Sequence, residues 1–184
     1  MIQIRKLYTR RDMFEVGTQL TFRDSDKKII YFLSGHLGGH QGRINLFDIQ
    51  GKLLAEARQK SLGFFPKFIF LEDGHYAGSL RRYYGINHDM LFVKKLNWFI
   101  FGNLFTFNYK VFKGRDCIMK IHEVTLPNGG NYLEFEISHK EYEPLCLCIA
   151  SILDYWAKMR NPSHSNQTEL NNYRRLEELL HEFS

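Results

Sequence analysis

Two histidines four residues apart offer the first candidate chemistry: His36 and His40 stand in Gly35-His-Leu-Gly-Gly-His-Gln-Gly42. On a helix that spacing puts both imidazoles on one face, as a pair of metal ligands requires. Four glycines in eight residues oppose a helix, since each costs roughly 1 kcal/mol in a helix interior relative to alanine. No third ligand is identifiable. The same glycines invite a phosphate-cradling loop, yet neither a helix pattern nor a Lys-Ser/Thr pair follows to supply aligned N–H groups. The run therefore reads as a flexible connection between strands, and neither a metal nor a cofactor is expected.

Other reactive groups are equally isolated. His122 and Glu123 are adjacent in a strand pattern, so their side chains point to opposite faces and do not form a ligand or acid–base pair. Cys117 has no adjacent histidine, and a nucleophilic thiol needs a base and an electropositive setting. An enzyme site would have to be assembled in space, with His36, His40 and Cys117 as its components. Asp154 interrupts an apolar helix, where a buried carboxylate needs a partner; pairing with an inward Arg or Lys is expected. Four cations, Arg58, Lys60, Lys67 and Arg81, fall on neighbouring segments joined by short turns. Converging on one outer face, they would make a site for anionic ligands. The plainer reading of the same charges is a solvated wall.

The elements that must position these groups are mostly strands. Aromatics make up 15% of the chain, with 16 Phe and 10 Tyr, which favours strand over helix. Strand patterns run through residues 3–8, 13–22, 29–34, 43–48, 53–60, 67–71, 75–83, 89–94, 97–102, 106–112, 116–124 and 132–138. Polar turns separate them, among them Arg23–Lys28, Gln50-Gly51, Lys113-Gly114 and the strong two-residue hairpin signal Asp73-Gly74. In Leu53–Lys60 the set Leu53, Ala55, Ala57 and Gln59 faces inward, and Leu54, Glu56, Arg58 and Lys60 face out. About twelve short strands with regular turns make an antiparallel barrel or sandwich.

One stretch breaks the pattern. Pro144–Lys158 carries Leu145, Leu147, Ile149, Ile152, Leu153 and Trp156 around the whole helical wheel, with Cys146, Cys148 and Ala150 between them. Such a helix has no solvent face, and it is shorter than the ~20 residues a bilayer span needs. It belongs inside protein, with the sheet closed about it. Beyond a polar linker at Asn161–Gln167, Leu170, Tyr173, Leu176, Leu180 and Phe183 recur at helical spacing. This amphipathic tail helix is expected to dock on the barrel wall or, as the second choice, to receive a protein partner. The expected organisation is a barrel domain over 1–160 and a linker with C-terminal helix over 161–184.

Charge and cysteines narrow the setting. Lys plus Arg exceed Asp plus Glu by 25 − 20 = 5, spread along the chain in pairs. This permits contact with anionic surfaces and offers no basic block or motif for nucleic acid. Three cysteines, with no secretory signal, fit a reducing cytoplasmic compartment.

The stretch Arg58-Gln-Lys-Ser-Leu-Gly-Phe-Phe-Pro-Lys-Phe-Ile-Phe70 resembles the strand–Phe–Pro–strand element of LURP-one-related proteins. Gly78–Arg82, Trp98, Gly102 and Tyr109 fall where that family carries its second half. The resemblance runs from the first strand through Pro144–Lys158. It implies the tubby-like fold: a closed barrel of twelve antiparallel strands threaded by a hydrophobic helix, mainly β. It implies no settled activity, although phosphoinositide-binding tubby domains and phospholipid scramblases are among the wider relatives. Their lipid-binding residues cannot be matched one by one, and none is carried over. The expected function is a non-enzymatic binding or scaffold module for anionic lipid or a phosphorylated ligand, peripheral at a membrane surface. The alternatives are a protein-interaction module acting through the tail and an enzyme with an assembled site.

Overall fold

A computed structural model describes residues 4–11, 19–38, 41–61, 66–84, 89–103, 106–127 and 129–160. Within them run β1 (Arg5–Arg10), β2 (Leu20–Asp24), β3 (Ile29–His36), β4 (Arg43–Asp48), β5 (Leu53–Gln59), β6 (Phe68–Glu72), β7 (His75–Tyr84), β8 (Asp89–Lys94), β9 (Trp98–Asn103), β10 (Asn108–Lys113), β11 (Asp116–Thr125) and β12 (Asn131–Ile137). A 3-10 turn at Lys140–Tyr142 leads into α1 (Glu143–Arg160). Each strand pairs antiparallel with its neighbour in sequence, and β1 pairs with β12 from Arg5↔Ile137 to Arg10↔Tyr132. The sheet thus closes and leaves no free edge.

Local chemistry explains the turns. Asp73 and Gly74 both take positive φ, 46° and 78°, the conformation that a tight two-residue hairpin requires. Asp24 Oδ1 accepts from the backbone N–H groups of Asp26 and Lys28, at 3.0 Å each, which closes the β2–β3 turn. At the end of β3, Gly35 has φ +109°, and a Cβ there would lie 2.1 Å from the carbonyl oxygen of Arg43. This glycine is required by the close approach of β4, which accounts for the start of the Gly/His run.

The interior belongs to α1. Leu145, Leu147, Ile149, Ile152, Leu153 and Trp156 are buried, as are Cys146, Cys148 and Ala150. The helix approaches β4, β5 and β6 most closely. There the inward positions of β5 are Ala55 and Ala57, both buried, whose small side chains leave room for it. Larger inward groups such as Phe22, Phe135, Tyr109 and Met119 fill the rest of the barrel. Among the described residues no helix is long and apolar enough to cross a membrane.

Several expectations shift at their edges. Of the four inward positions expected on β5, Ala55, Ala57 and Gln59 are buried, but Leu53 is 38% exposed. It sits at the first position of its strand, next to a register shift between Leu46 and Phe47. Strand β2 continues through Asp24, into what reads as turn. The Met13–Thr18 part of the expected second strand lies outside the described residues, as do His40, the linker and the tail helix over 161–184.

Candidate functional site

Register decides where the four basic residues stand. The Lys60 N–H donates to the Lys67 carbonyl at 2.7 Å, so these two residues face each other just past the end of β5 and just before β6. Phe68 pairs with Leu80, which brings Lys67 level with Arg81 on β7. Gln59, Phe68 and Leu80 are buried on the inner side, and alternation sends Lys60, Lys67 and Arg81 outward. All three are exposed. Two inter-strand steps of about 4.8 Å put the row within roughly 10 Å of sheet.

Arg58 shares this outer face one step down β5, opposite Ile69, but its guanidinium is engaged. Its Nε and Nη2 donate to the two oxygens of Glu56 at 2.6 and 2.8 Å. Arg43, across the sheet from Arg58, adds a contact from Nε to Glu56 Oε1 at 2.7 Å. Glu56 is thereby buried on the outside of the barrel. The hydrogen bond from Arg58 holds its carboxyl below the usual range against the opposing effect of burial. Two cations about one anion leave a net positive charge, so the cluster adds to the positive face while locking Arg58 in place. The sequence reading missed Arg43; its only signal was its place before the inward pair Ile44 and Leu46.

The candidate nucleophile and bases do not assemble. His36 is exposed at the end of β3, whereas Cys117 lies near the start of β11, at the opposite end of the barrel. Burial pushes the Cys117 thiol up, which lowers its thiolate content. His122 and Glu123 do face apart: His122 Nε2 lies 3.4 Å from Glu134, and Glu123 pairs with Arg11. The described part of the Gly/His run is tied down. Gly38 N–H donates to Gln59 Oε1 at 2.9 Å, and the ring of Tyr155 packs on Gly38. A cleft of about 870 Å³ at the other end is lined by residues of both signs, including Arg5, Lys6, Asp24, Asp26, Lys140 and Glu141.

Asp154 finds its partner on its own helix. Lys158 Nζ is 2.9 Å from Oδ2, one turn on. Burial pushes the Asp154 pKa up to about 6, with Lys158 and Arg11 pulling the other way. In the unfolded chain the group titrates near about 4, so between these values the folded state holds the extra proton. The favourable contribution is complete below about pH 4 and is lost as pH rises through about 6. Asp154→Asn should therefore gain stability relative to the wild type between about pH 4 and pH 7, by about 2–3 kcal/mol. Urea unfolding of both proteins across that range measures it; a constant difference would mean that Asp154 stays charged throughout.

No known family profile matches the chain. The uncharacterized protein YxjI of Bacillus subtilis is 22% identical over 149 residues, covering 81% of this chain and 91% of its own length. An Arabidopsis thaliana protein solved by X-ray crystallography shares the fold with a TM-score of 0.58 at 12% identity. That match covers 83% of this chain and 91% of the plant protein. The likeness extends to the architecture: a closed antiparallel barrel with a helix.

Proposed function

We propose that the chain is a LURP-one-related, tubby-like barrel. In this reading it is a cytoplasmic, non-enzymatic module that docks reversibly on anionic membrane surfaces. The supporting observation is the outward row of Lys60, Lys67 and Arg81, three exposed cations just past the end of β5, just before β6 and on β7, with the net-positive Arg43–Glu56–Arg58 cluster beside it. A barrel whose interior is occupied by α1 offers its wall for binding. Each cation near an anionic bilayer contributes about 1 kcal/mol, which suits weak, reversible association.

Co-sedimentation with neutral and anionic liposomes tests this. The variant to use is Lys60→Gln/Lys67→Gln/Arg81→Gln, because removing Arg58 would take from the buried Glu56 the partner that bonds both of its oxygens. Wild type should bind anionic vesicles selectively, and the variant should lose about 3 kcal/mol, roughly a hundredfold in affinity. Binding should also weaken as the Debye length contracts from about 10 Å at 0.1 M salt to about 3 Å at 1 M. Equal affinity for neutral vesicles, or none for either kind, would overturn the reading.

A further inference from the structure

The outward row that is cationic up to Arg81 continues across the next strands as aromatic side chains. Arg81 pairs with Phe92 on β8, Phe92 with Phe99 on β9, and Phe99 with Phe112 on β10. One step along the strands, Met90 pairs with Phe101 and Phe101 with Lys110. The inward positions of these strands, among them Leu91, Val93, Ile100 and Val111, are fully buried. The phenylalanines and Met90 therefore point out. Phe99, Phe101 and Met90 are 40%, 41% and 38% exposed. The rings form one continuous surface: Phe92–Phe99 centroids lie 4.7 Å apart, Phe99–Phe101 6.3 Å with planes at 15°, and Phe101–Phe112 6.0 Å.

The barrel core has no use for these rings, and a contiguous exposed aromatic patch on the outside of a barrel marks a binding surface. Its surroundings say for what. Arg81, Lys67 and Lys60 flank it on one side and Lys110 on the other; Lys120, level with Lys110 on β11, is paired with Glu136 at 3.4 Å. No outward-facing side chain described on β8–β10 is acidic. An apolar strip with cations on both flanks matches the boundary between anionic headgroups and acyl chains, where aromatic rings settle. A second copy of this chain fits poorly, since two like faces would set lysine against lysine.

We propose that the aromatic face of β8–β10 is a membrane anchor: Phe99 and Phe101 enter the headgroup–acyl boundary of the anionic bilayer that the Lys60–Lys67–Arg81 row approaches. This rests on the anionic-membrane reading above and adds a hydrophobic component to it. Charge brings the barrel to the surface and sets its selectivity; the rings hold it there and account for binding that salt does not remove.

The test uses phosphatidylcholine vesicles with and without phosphatidylserine. Phe99→Thr/Phe101→Thr keeps strand-forming residues on an exposed face, so its melting should stay close to wild type. Its affinity for anionic vesicles should fall about tenfold or more, and binding that survives about 1 M salt in the wild type should vanish. Independently, Phe101→Trp should show a blue-shifted indole emission on anionic vesicles and quenching by brominated acyl chains. A Thr variant that binds like wild type overturns the anchor, as does an indole emission that stays unchanged when the Phe101→Trp protein is bound. If the cation variant still loses binding in that case, the electrostatic reading stands alone. Failure of wild type to bind either vesicle sinks both. Loss of a dimer in the Thr variant by light scattering, or new dye binding to this face on deleting residues 162–184, without an effect on vesicles, would assign the face to a second copy or to the chain's own tail instead.

Discussion

Ile149→Asp should yield a chain that does not fold. Ile149 is completely buried midway along α1, within a barrel whose buried side chains are mostly apolar. A carboxylate placed there is cut off from water among buried apolar side chains, and an unpaired charge in such a site costs several kcal/mol even after relaxation. Losing the isoleucine burial removes a further 1.5–3 kcal/mol or so. Together these approach or exceed the roughly 5–15 kcal/mol that holds a typical domain folded. Ile149→Val, which removes one methylene, should cost only about 0.5–1.5 kcal/mol. Circular dichroism and size-exclusion chromatography measure both variants. An Asp variant that melts like wild type would mean that the barrel does not depend on its helix.

The helix was legible because a wheel apolar on all sides, too short for a bilayer, admits one location. The strands were legible where alternation was clean, as in Arg43–Asp48, and the Asp73-Gly74 hairpin followed from its turn chemistry. What escaped depends on register. The Arg43–Glu56–Arg58 cluster exists because β4 lies beside β5 in one alignment, which no local pattern specifies. The aromatic face escaped for a different reason. Met90-Leu91-Phe92-Val93 and Trp98-Phe99-Ile100-Phe101 are apolar at every position, so a period of two cannot tell the inner face from the outer. Only closure of the barrel decides that Leu91 and Ile100 face the interior while Phe92 and Phe99 face out.

Arg5→Ala should destabilise the barrel strongly, and in a pH-dependent way. Glu143, in the first turn of α1, is fully buried. Arg5 Nη1 on β1 donates to its two oxygens at 3.3 and 3.2 Å, and the Tyr31 hydroxyl on β3 donates to Oε2 at 2.5 Å. These contacts join residues 138 and 112 positions apart, a network invisible to any local reading. They fix the entry of α1 into the barrel. Burial pushes the Glu143 pKa up, while Tyr31 and Arg5 pull it back. Without Arg5 the carboxylate keeps the tyrosine hydroxyl and the charge of Lys140. Breaking a buried pair costs about 3–5 kcal/mol; the lower end applies here, because Arg5 is 31% exposed and water can enter the vacated space. The folded-state pKa of Glu143 should then rise further above the ordinary carboxylate value of about 4. Stability tied to the protonated form is present at low pH and lost as pH rises, so the deficit should be largest near about pH 7 and shrink towards about pH 4. Arg5→Ala/Glu143→Gln should recover most of the loss at neutral pH, since a neutral amide can still accept the tyrosine hydroxyl. Urea unfolding of the single and double variants at both pH values measures the effect. A deficit equal at both, and unrelieved by Gln, would mean that Arg5 acts through the packing of its aliphatic stem and not through its charge.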